Sequence, residues 1–379
     1  MKTFTLYDQT GANASAADEY AVVKRQSDGI SILLIIFLSL MVVLIVIGNS
    51  VVILAFIVDR RLRTRSNFFL LNLSMCDFLV GAVSIPMYIP YRVTGKWLLG
   101  KFLCKLWITI DFTITTASAY SVVLISYDRF LSVNNAVVHR SLQNRHRQTA
   151  LNMILVWILS FLVYGPAVLL WDIITGTSHL QGDSCHAGFL DIWYYTLGAS
   201  TLDFMCPLLS ISFFNLRIYL GIIKRSSKRQ NCSMSSSLPF SISNNTVHPL
   251  PQTNEKRENM SIYPFTDVKI TSSTTQNSER CNMHNINDKL SQDKKAAKSL
   301  GILVSVFFLC WTPYSLLASI RAVCHGYCAD YFYIEMTLWF IYTNSAINPI
   351  LYPVCHKSFR KAFKLLLERF MKLFLIQQC

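Results

Sequence analysis

Asp111 stands alone on a long apolar stretch that begins near Cys104 and ends at Asp128, Arg129 and Phe130. A carboxylate at membrane depth is costly unless something pairs with it, so an acid in such a stretch points to a functional site. No Lys or Arg lies between Asp111 and Arg129. Their separation of eighteen residues (129 − 111) is roughly 27 Å along a helix, close to the thickness of bilayer hydrocarbon. With Arg129 at one membrane face, Asp111 belongs to a cavity near the other. An anionic cavity open to one side of a membrane invites a cationic ligand. Asp77 and Asp203 fall within apolar stretches of their own and must likewise turn inward.

The elements that would position these acids are bilayer spans. The chain of 379 residues is 52% hydrophobic and only 15% charged, with a mean hydropathy of +0.37. Soluble chains carry about a quarter charged residues, so the length is not read as two or three soluble domains. The formal net charge of +14 could suit nucleic acid, but the basic residues alternate with bilayer-length apolar runs, which favours membrane lipid and no nucleic acid. Seven such runs are read, approximately Ile30–Val58, Asn67–Pro90, Leu103–Leu131, Ala150–Trp171, Ile192–Ile223, Ser299–Arg321 and Tyr331–Val354. Each reaches the ~20 residues that a spanning helix needs. Pro86, Pro166, Pro207, Pro313 and Pro349 are tolerable kinks within a bundle. The fold class is therefore an all-α membrane protein, a seven-transmembrane helix bundle.

Basic residues set the expected orientation. Arg60, Arg61, Arg63 and Arg65 follow the first run, and Arg129, Arg140, Arg145 and Arg147 follow the third. Lys224, Arg225, Lys228 and Arg229 follow the fifth, and Lys294, Lys295 and Lys298 precede the sixth. Lys357, Arg360, Lys361 and Lys364 follow the seventh. The stretch Asp172–Asp191 on the other side has no Lys or Arg. The positive-inside rule then places the N-terminus outside and the C-terminus in the cytoplasm. Residues 1–29 form a polar extracellular tail without the pattern of a cleaved signal peptide. Asn13-Ala14-Ser15 within that tail is a glycosylation acceptor sequence. Similar tripeptides at Asn231, Asn244 and Asn259 fall on the cytoplasmic side.

The domain reading is 30–354 for the spanning region, with 230–292 as a disordered third cytoplasmic loop rich in Ser, Thr, Asn and Gln. Residues 355–379 form an amphipathic helix and short tail, since Phe359, Phe363, Leu366, Phe370, Leu373 and Phe374 recur at helical spacing among basic residues. Cys104, Cys185, Cys324 and Cys328 fall in the oxidising compartment, and 104 is paired with 185 and 324 with 328. Cys76, Cys206 and Cys310 are read as packed thiols within helices, while Cys379 is open to palmitoylation or to remaining a thiol.

The marks assemble into a family pattern. Gly48-Asn49, Leu73 to Asp77 (LSMCD), Asp128-Arg129-Phe130, Trp157, Pro207, Cys310-Trp311-Thr312-Pro313-Tyr314 and Asn348-Pro349-Ile350-Leu351-Tyr352 occur in order, one on each run. The chain thereby resembles the rhodopsin-like G-protein-coupled receptors over nearly all its length. Within them, Asp111 matches the acid that binds the ammonium of biogenic amines, Tyr342 an aromatic lid, and Trp311 and Tyr314 an aromatic floor and wall. Phe112 and Thr115 belong to the same implied ligand set. Aromatic faces would add cation–π attraction to the carboxylate's pairing. The alternative for Asp111 is an interhelical hydrogen bond with no ligand.

Longer stretches are similar to histamine receptors of the third and fourth subtypes: Ile125 to Val133 (ISYDRFLSV), Phe213 to Leu216 (FFNL), Arg321 to Cys328 (RAVCHGYC) and Tyr352 to Phe363 (YPVCHKSFRKAF). Those receptors carry Glu where this chain has Asp203, Trp where it has Tyr342, and Tyr where it has Phe112. Two carboxylates across a cavity would suit histamine, which is polar at both ends. Asp203 is one methylene short of Glu, and a structural acid is its alternative role. Another monoamine, such as a trace amine, stays open as the ligand.

The resemblance also implies a sodium site from Asp77, Ser118, Asn344 and Asn348, with Asn49 nearby; oxygen ligands suit a hard cation. No other cofactor or metal is expected. Asp128, Arg129, Asp293, Asn348, Pro349 and Tyr352 form the implied switch for a heterotrimeric G protein of the inhibitory class, with Arg129 expected to contact Asp128 and Asp293. Arrestin and receptor kinases follow as implied partners. Asn215 stands where the wider family has a Tyr on the fifth helix. A transporter would predict internal repeats, and none is read. No nucleotide loop, HExxH pair or nucleophile elbow suggests an enzyme.

Overall fold

The structure, a computed structural model, describes residues 9–143, 145–176, 185, 187–235, 272–325, 327–328, 331–355 and 357–377, with some side chains near the ends of these stretches left out. The described residues are helical throughout their regular elements. Helix α1 is Gln9–Val58, and α2 comprises Arg65–Leu79, a π turn at Val80–Ser84 and Ile85–Thr94. Helix α3 is Gly100–Asn134, followed by a short helix Ala136–Gln143 and by α4, His146–Thr175. Helix α5 comprises Trp193–Ser200, a π turn at Thr201–Met205 and Cys206–Ser235. The remaining helices are α6, Ser272–Val323, α7, Tyr331–Cys355, and α8, Lys357–Gln377.

Three boundaries differ from the sequence reading. Helix α1 starts at Gln9, inside the stretch read as a polar tail; the side chain of Asn13 lies outside the described residues. Helices α5 and α6 run to Ser235 and back to Ser272, within the 230–292 stretch read as disordered, and residues 236–271 lie outside the described residues. Once a helix is nucleated by a packed span, each added residue gains one backbone bond for one residue fixed, so even mediocre helix formers can extend it. Among the described residues six helices are long and apolar enough to cross a bilayer, and α7 is not among them. Its 25 residues suffice in length, but Asn344, Ser345 and Asn348, all buried, lower its hydropathy because they face the bundle and not lipid.

The chain divides into two compact units, Met1–Ile218 with Ala296–Cys379, and Tyr219–Lys295. The first holds the bundle. Its core joins Ile45 of α1, Cys76, Val80 and Ile85 of α2, Ile114 and Ala117 of α3, and Tyr342 of α7. Close approaches are purchased with glycine: a Cβ on Gly81 would meet Ile45 Cγ2 at 2.7 Å, and one on Gly48 would meet Pro349 Cγ at 3.0 Å. The outward faces are apolar. Ile36, Leu40, Leu44 and Ile47 of α1, Leu151, Ile154, Leu155 and Ile158 of α4, and Leu209, Phe213 and Leu216 of α5 are all exposed. Contiguous patches on this scale do not face water in a soluble monomer, so they mark the lipid surface. Cys206 is exposed on this outer face, against the packed position expected of it, while Cys76 and Cys310 are buried.

Both π turns have the same cause. Proline lacks an N–H and cannot serve the carbonyl one turn before it. In α5 the Cys206 N–H bonds to Thr201 O, an i→i+5 step. The next carbonyl in that register, Leu202 O, would need an N–H from Pro207. The Tyr120 hydroxyl of α3 takes its place, donating to Leu202 O at 2.8 Å. In α2 the Ile85 N–H bonds to Val80 O just before Pro86. Each turn rotates the helix beyond it, and each lies beside an acid: Asp77 precedes one and Asp203 sits in the other.

Helix α8 buries Phe359, Ala362 and Leu366, at spacings of three and four residues. Its Arg360 donates to Pro353 O and Val354 O at 3.1 Å each, satisfying carbonyls at the end of α7. The Phe359 ring lies 5.8 Å from that of Tyr352. Phe370, Leu373, Phe374 and Cys379 lie outside the described side chains.

Candidate functional site

Cys104 and Cys185 form a disulfide with Cα atoms 5.7 Å apart, and Cys324 and Cys328 form another. The first ties the stretch before α5 to the start of α3, and Lys105 and Asp172 reinforce the same corner with a 2.9 Å ion pair between α3 and α4. Cys104, Cys185, Phe189 and Tyr164 share one apolar cluster. These contacts fix the end of the bundle where Asp111 lies.

Asp111 projects from α3 toward α2 and α7. The hydroxyls of Ser84 and Tyr342 lie against its carboxylate. Its Oδ1 is buried and accepts no hydrogen bond among the described residues. An acceptor left that way costs roughly 1–3 kcal/mol, more for a charged group, unless a ligand's donor fills it. Thr115 turns its hydroxyl to Asp111 O at 2.7 Å. Ser84 is positioned by the α2 π turn; nothing in the residue pattern marks it.

One turn deeper is a small cavity of about 10 Å³, lined by Thr115 and Ser118 of α3, Trp311 of α6, and Tyr342, Asn344 and Ser345 of α7. Val80 of α2 lines it too, and Asp77 of α2 bonds to two of the lining residues. Its Oδ1 accepts from Ser345 at 2.8 Å and from Ser118 at 3.4 Å, and its Oδ2 accepts from Asn348 at 2.8 Å. Asn49 donates to Ser345 O at 3.2 Å and keeps its own Oδ1 without a partner. Three of the four expected sodium ligands therefore meet directly, Asn344 lines the same cavity, and Ser345 joins them. The donor set is one carboxylate with neutral oxygens, which fits a monovalent hard cation. Among the described residues no cluster of His, Cys, Asp and Glu fits a transition metal.

Asp203 lies on the other side of α3. Tyr164 of α4 donates its hydroxyl to Asp203 Oδ2. The Tyr164 ring is stacked on Phe112 with centroids 4.5 Å apart, and Phe189 lies 5.8 Å from it. Tyr314 of α6 is an electrostatic neighbour of the Tyr164 hydroxyl. Phe112, Tyr164 and Phe189 thus form an aromatic cluster beside Asp203. Trp311 is buried, with its ring 5.1 Å from Phe307.

At the opposite end of the bundle, Asp128 and adjacent Arg129 attract each other, without a close ion pair between them among the described residues. Asp128 is held by Arg65 Nε at 3.1 Å, by Ser66, and by His139 Nε2 at 3.6 Å. Arg65 is 2% exposed and its guanidinium lies 5.6 Å from the Phe69 ring centroid. The sequence marks it only as an orientation charge, although Arg65, Phe69, Leu73 and Asp77 fall on one helical stripe. Asp293, in the second unit, pairs with Arg225 at 2.6 Å. Tyr352 is buried beside Ser74, Pro349 packs on Gly48, and Asn215 donates to Ile211 O at 2.8 Å. Trp157 completes a polar chain across three helices: it donates to Asn72 at 3.0 Å, and Asn72 donates to Ser121 at 2.8 Å.

Comparison with known proteins agrees with this arrangement. The family described as 7 transmembrane receptor (rhodopsin family) matches residues 48–352. The human histamine H4 receptor is 36% identical over 354 residues, covering 86% of this chain and 90% of the relative. The mouse histamine H4 receptor is 35% identical over 84% of this chain and 88% of the relative. The human muscarinic acetylcholine receptor M1 is 26% identical over 85% of this chain and 86% of the relative.

Proposed function

The chain belongs to the rhodopsin family of seven-transmembrane receptors, in its aminergic group, and is not an enzyme; from that premise we propose that it is a plasma-membrane receptor for histamine. Its N-terminus is extracellular, its C-terminus cytoplasmic, and the Asp111 end of the bundle faces outward. The observation that carries the reading is the buried, unclaimed Oδ1 of Asp111 beside Tyr342. A ligand ammonium supplies the missing donor, with Trp311 and Tyr314 as its aromatic surroundings. Asp203, beyond Phe112, meets the imidazole. The identity to histamine H4 receptors at 35–36% supports this choice of amine.

Agonist binding shifts the population toward a state that admits a heterotrimeric G protein of the inhibitory class at the Arg129 end, and each partner raises the other's affinity. Arrestin and receptor kinases act on the same face. Asp77, with Ser118, Ser345, Asn344 and Asn348, holds a sodium ion that neutralises a buried carboxylate. A trace amine is the second reading, favoured by one observation: Asp203 already spends an oxygen on Tyr164. A panel of biogenic amines, tested for G-protein activation in cells expressing the chain, decides between them. Histamine is expected to activate at the lowest concentration; activation by trace amines alone would transfer the assignment, and silence to every amine would remove it.

A further inference from the structure

Tyr164 is a buried phenol whose hydroxyl serves another side chain instead of the backbone. Its ring packs against Phe112 and Phe189, which also lie against each other, and neighbouring Tyr195 pins the local backbone by donating to Val163 O at 2.7 Å. The phenol therefore has little freedom to move. It has one hydrogen to donate, and that hydrogen goes to Asp203 Oδ2. Asp203 is held equally firmly at its base, because the π turn that carries it is closed by the Tyr120 hydroxyl on Leu202 O. Two tyrosines from two helices thus aim one short carboxylate.

We propose that Tyr164 is a specificity-determining residue of the amine site, holding Oδ2 of Asp203 so that Oδ1 alone faces the ligand's far end as a single directed acceptor. This rests on the amine-receptor reading above. A carboxylate with both oxygens available can accept two adjacent donors, as a catechol offers. One with an oxygen already occupied suits a lone N–H, as on an imidazole ring. Asp is one methylene shorter than Glu and cannot swing far to compensate, so the phenol decides which oxygen is presented. Tyr164 is a positioning residue acting through Asp203, and its signature is discrimination among ligands.

The test is competition binding of histamine, dopamine and phenethylamine to membranes from cells expressing the full chain, with cell-surface staining of each protein. The proteins are the unaltered chain, Tyr164→Phe, Asp203→Asn, the double variant, and Tyr164→His, which keeps a ring N–H donor. Tyr164→Phe is expected to weaken histamine roughly tenfold and to leave phenethylamine within about twofold, the size of one hydrogen bond lost from an aimed acceptor. Dopamine is expected to gain on histamine. On the Asp203→Asn background the same change should add nothing, since residues acting as a unit are non-additive, and Tyr164→His should keep histamine closer to the unaltered value than Tyr164→Phe does. Equal losses for all three amines, additive losses with Asp203→Asn, or loss of surface protein in both Tyr164 variants would overturn the inference by making Tyr164 structural. An unaltered chain that binds phenethylamine but not histamine would overturn it while leaving the amine reading in place; one that binds none of the three would overturn both.

Discussion

Asp111 and Asp203 are both carboxylates on spanning helices, yet their surroundings give them different work. Asp111 keeps an oxygen without a hydrogen-bond partner, whereas Asp203 is engaged by a phenol. Asp111→Asn should therefore abolish amine binding while the protein still reaches the surface, because Asn cannot pair with an ammonium as a charge; radioligand binding with surface staining measures both, and unchanged affinity would remove Asp111 from the site. Asp203→Ala should weaken histamine by about ten- to a hundredfold, the effect of losing a charge-assisted contact worth about 1.5–3 kcal/mol, and should affect an amine with an apolar far end much less. Asp203→Glu should retain histamine. Equal losses for every amine in Asp203→Ala would make this acid structural.

Among the helices, α2 and α5 owe their aim to proline-driven π turns, and α1 comes close to α2 at Gly81 because that residue has no side chain. Gly81→Ala would push a methyl to 2.7 Å from Ile45 Cγ2. Overpacking of this kind costs roughly 1–3 kcal/mol, so the purified receptor should melt at a lower temperature, with Ile45→Ala recovering part of the loss. No recovery in the double variant would show that the strain lies elsewhere. The stretch before α5 depends on its disulfide. Cys104→Ala releases Cys185 and should sharply lower surface expression or ligand binding; finding both cysteines as thiols in folded, unaltered receptor by mass spectrometry would contradict the linkage.

Across the whole bundle, a buried ion pair holds the N-terminal end of α2 to α3 and to the short helix Ala136–Gln143. Arg65 and Asp128 have side chains 2% and 1% exposed. Removing one partner of a buried pair leaves an uncompensated charge and typically costs about 3–5 kcal/mol, whereas replacing both with apolar residues is often neutral. Arg65→Met alone should thus lower thermal stability strongly, and Arg65→Met with Asp128→Leu should restore much of it. Melting curves of the two variants check this; a double variant less stable than the single one would mean that the pair is not the main contact of either residue.

The chain alone was enough for the spans, their inward acids and the cysteine pairing at 104 and 185, because hydrocarbon imposes a length and a polarity on each segment that local composition must obey. Asp111, Asp77 and Trp311 were legible for the same reason: each is an exception within an apolar run or part of a local motif. Even α7, too polar to pass as a lipid span on hydropathy, is read from its run Tyr331–Val354, and the Asn348-Pro349 motif of the resembling family marks the same stretch. What could not be read were the contacts between helices beyond those the family resemblance implies. Ser84 and Ser345 are ordinary serines until a π turn and a neighbouring helix bring them to Asp111 and Asp77. Arg65 is one arginine among four until α3 offers Asp128, and Tyr164 is a core aromatic until α5 turns Asp203 toward it. Helical periodicity tells which face a residue occupies but not which residue of another helix stands opposite; that depends on crossing angles and axial offsets, which exist only once the helices pack.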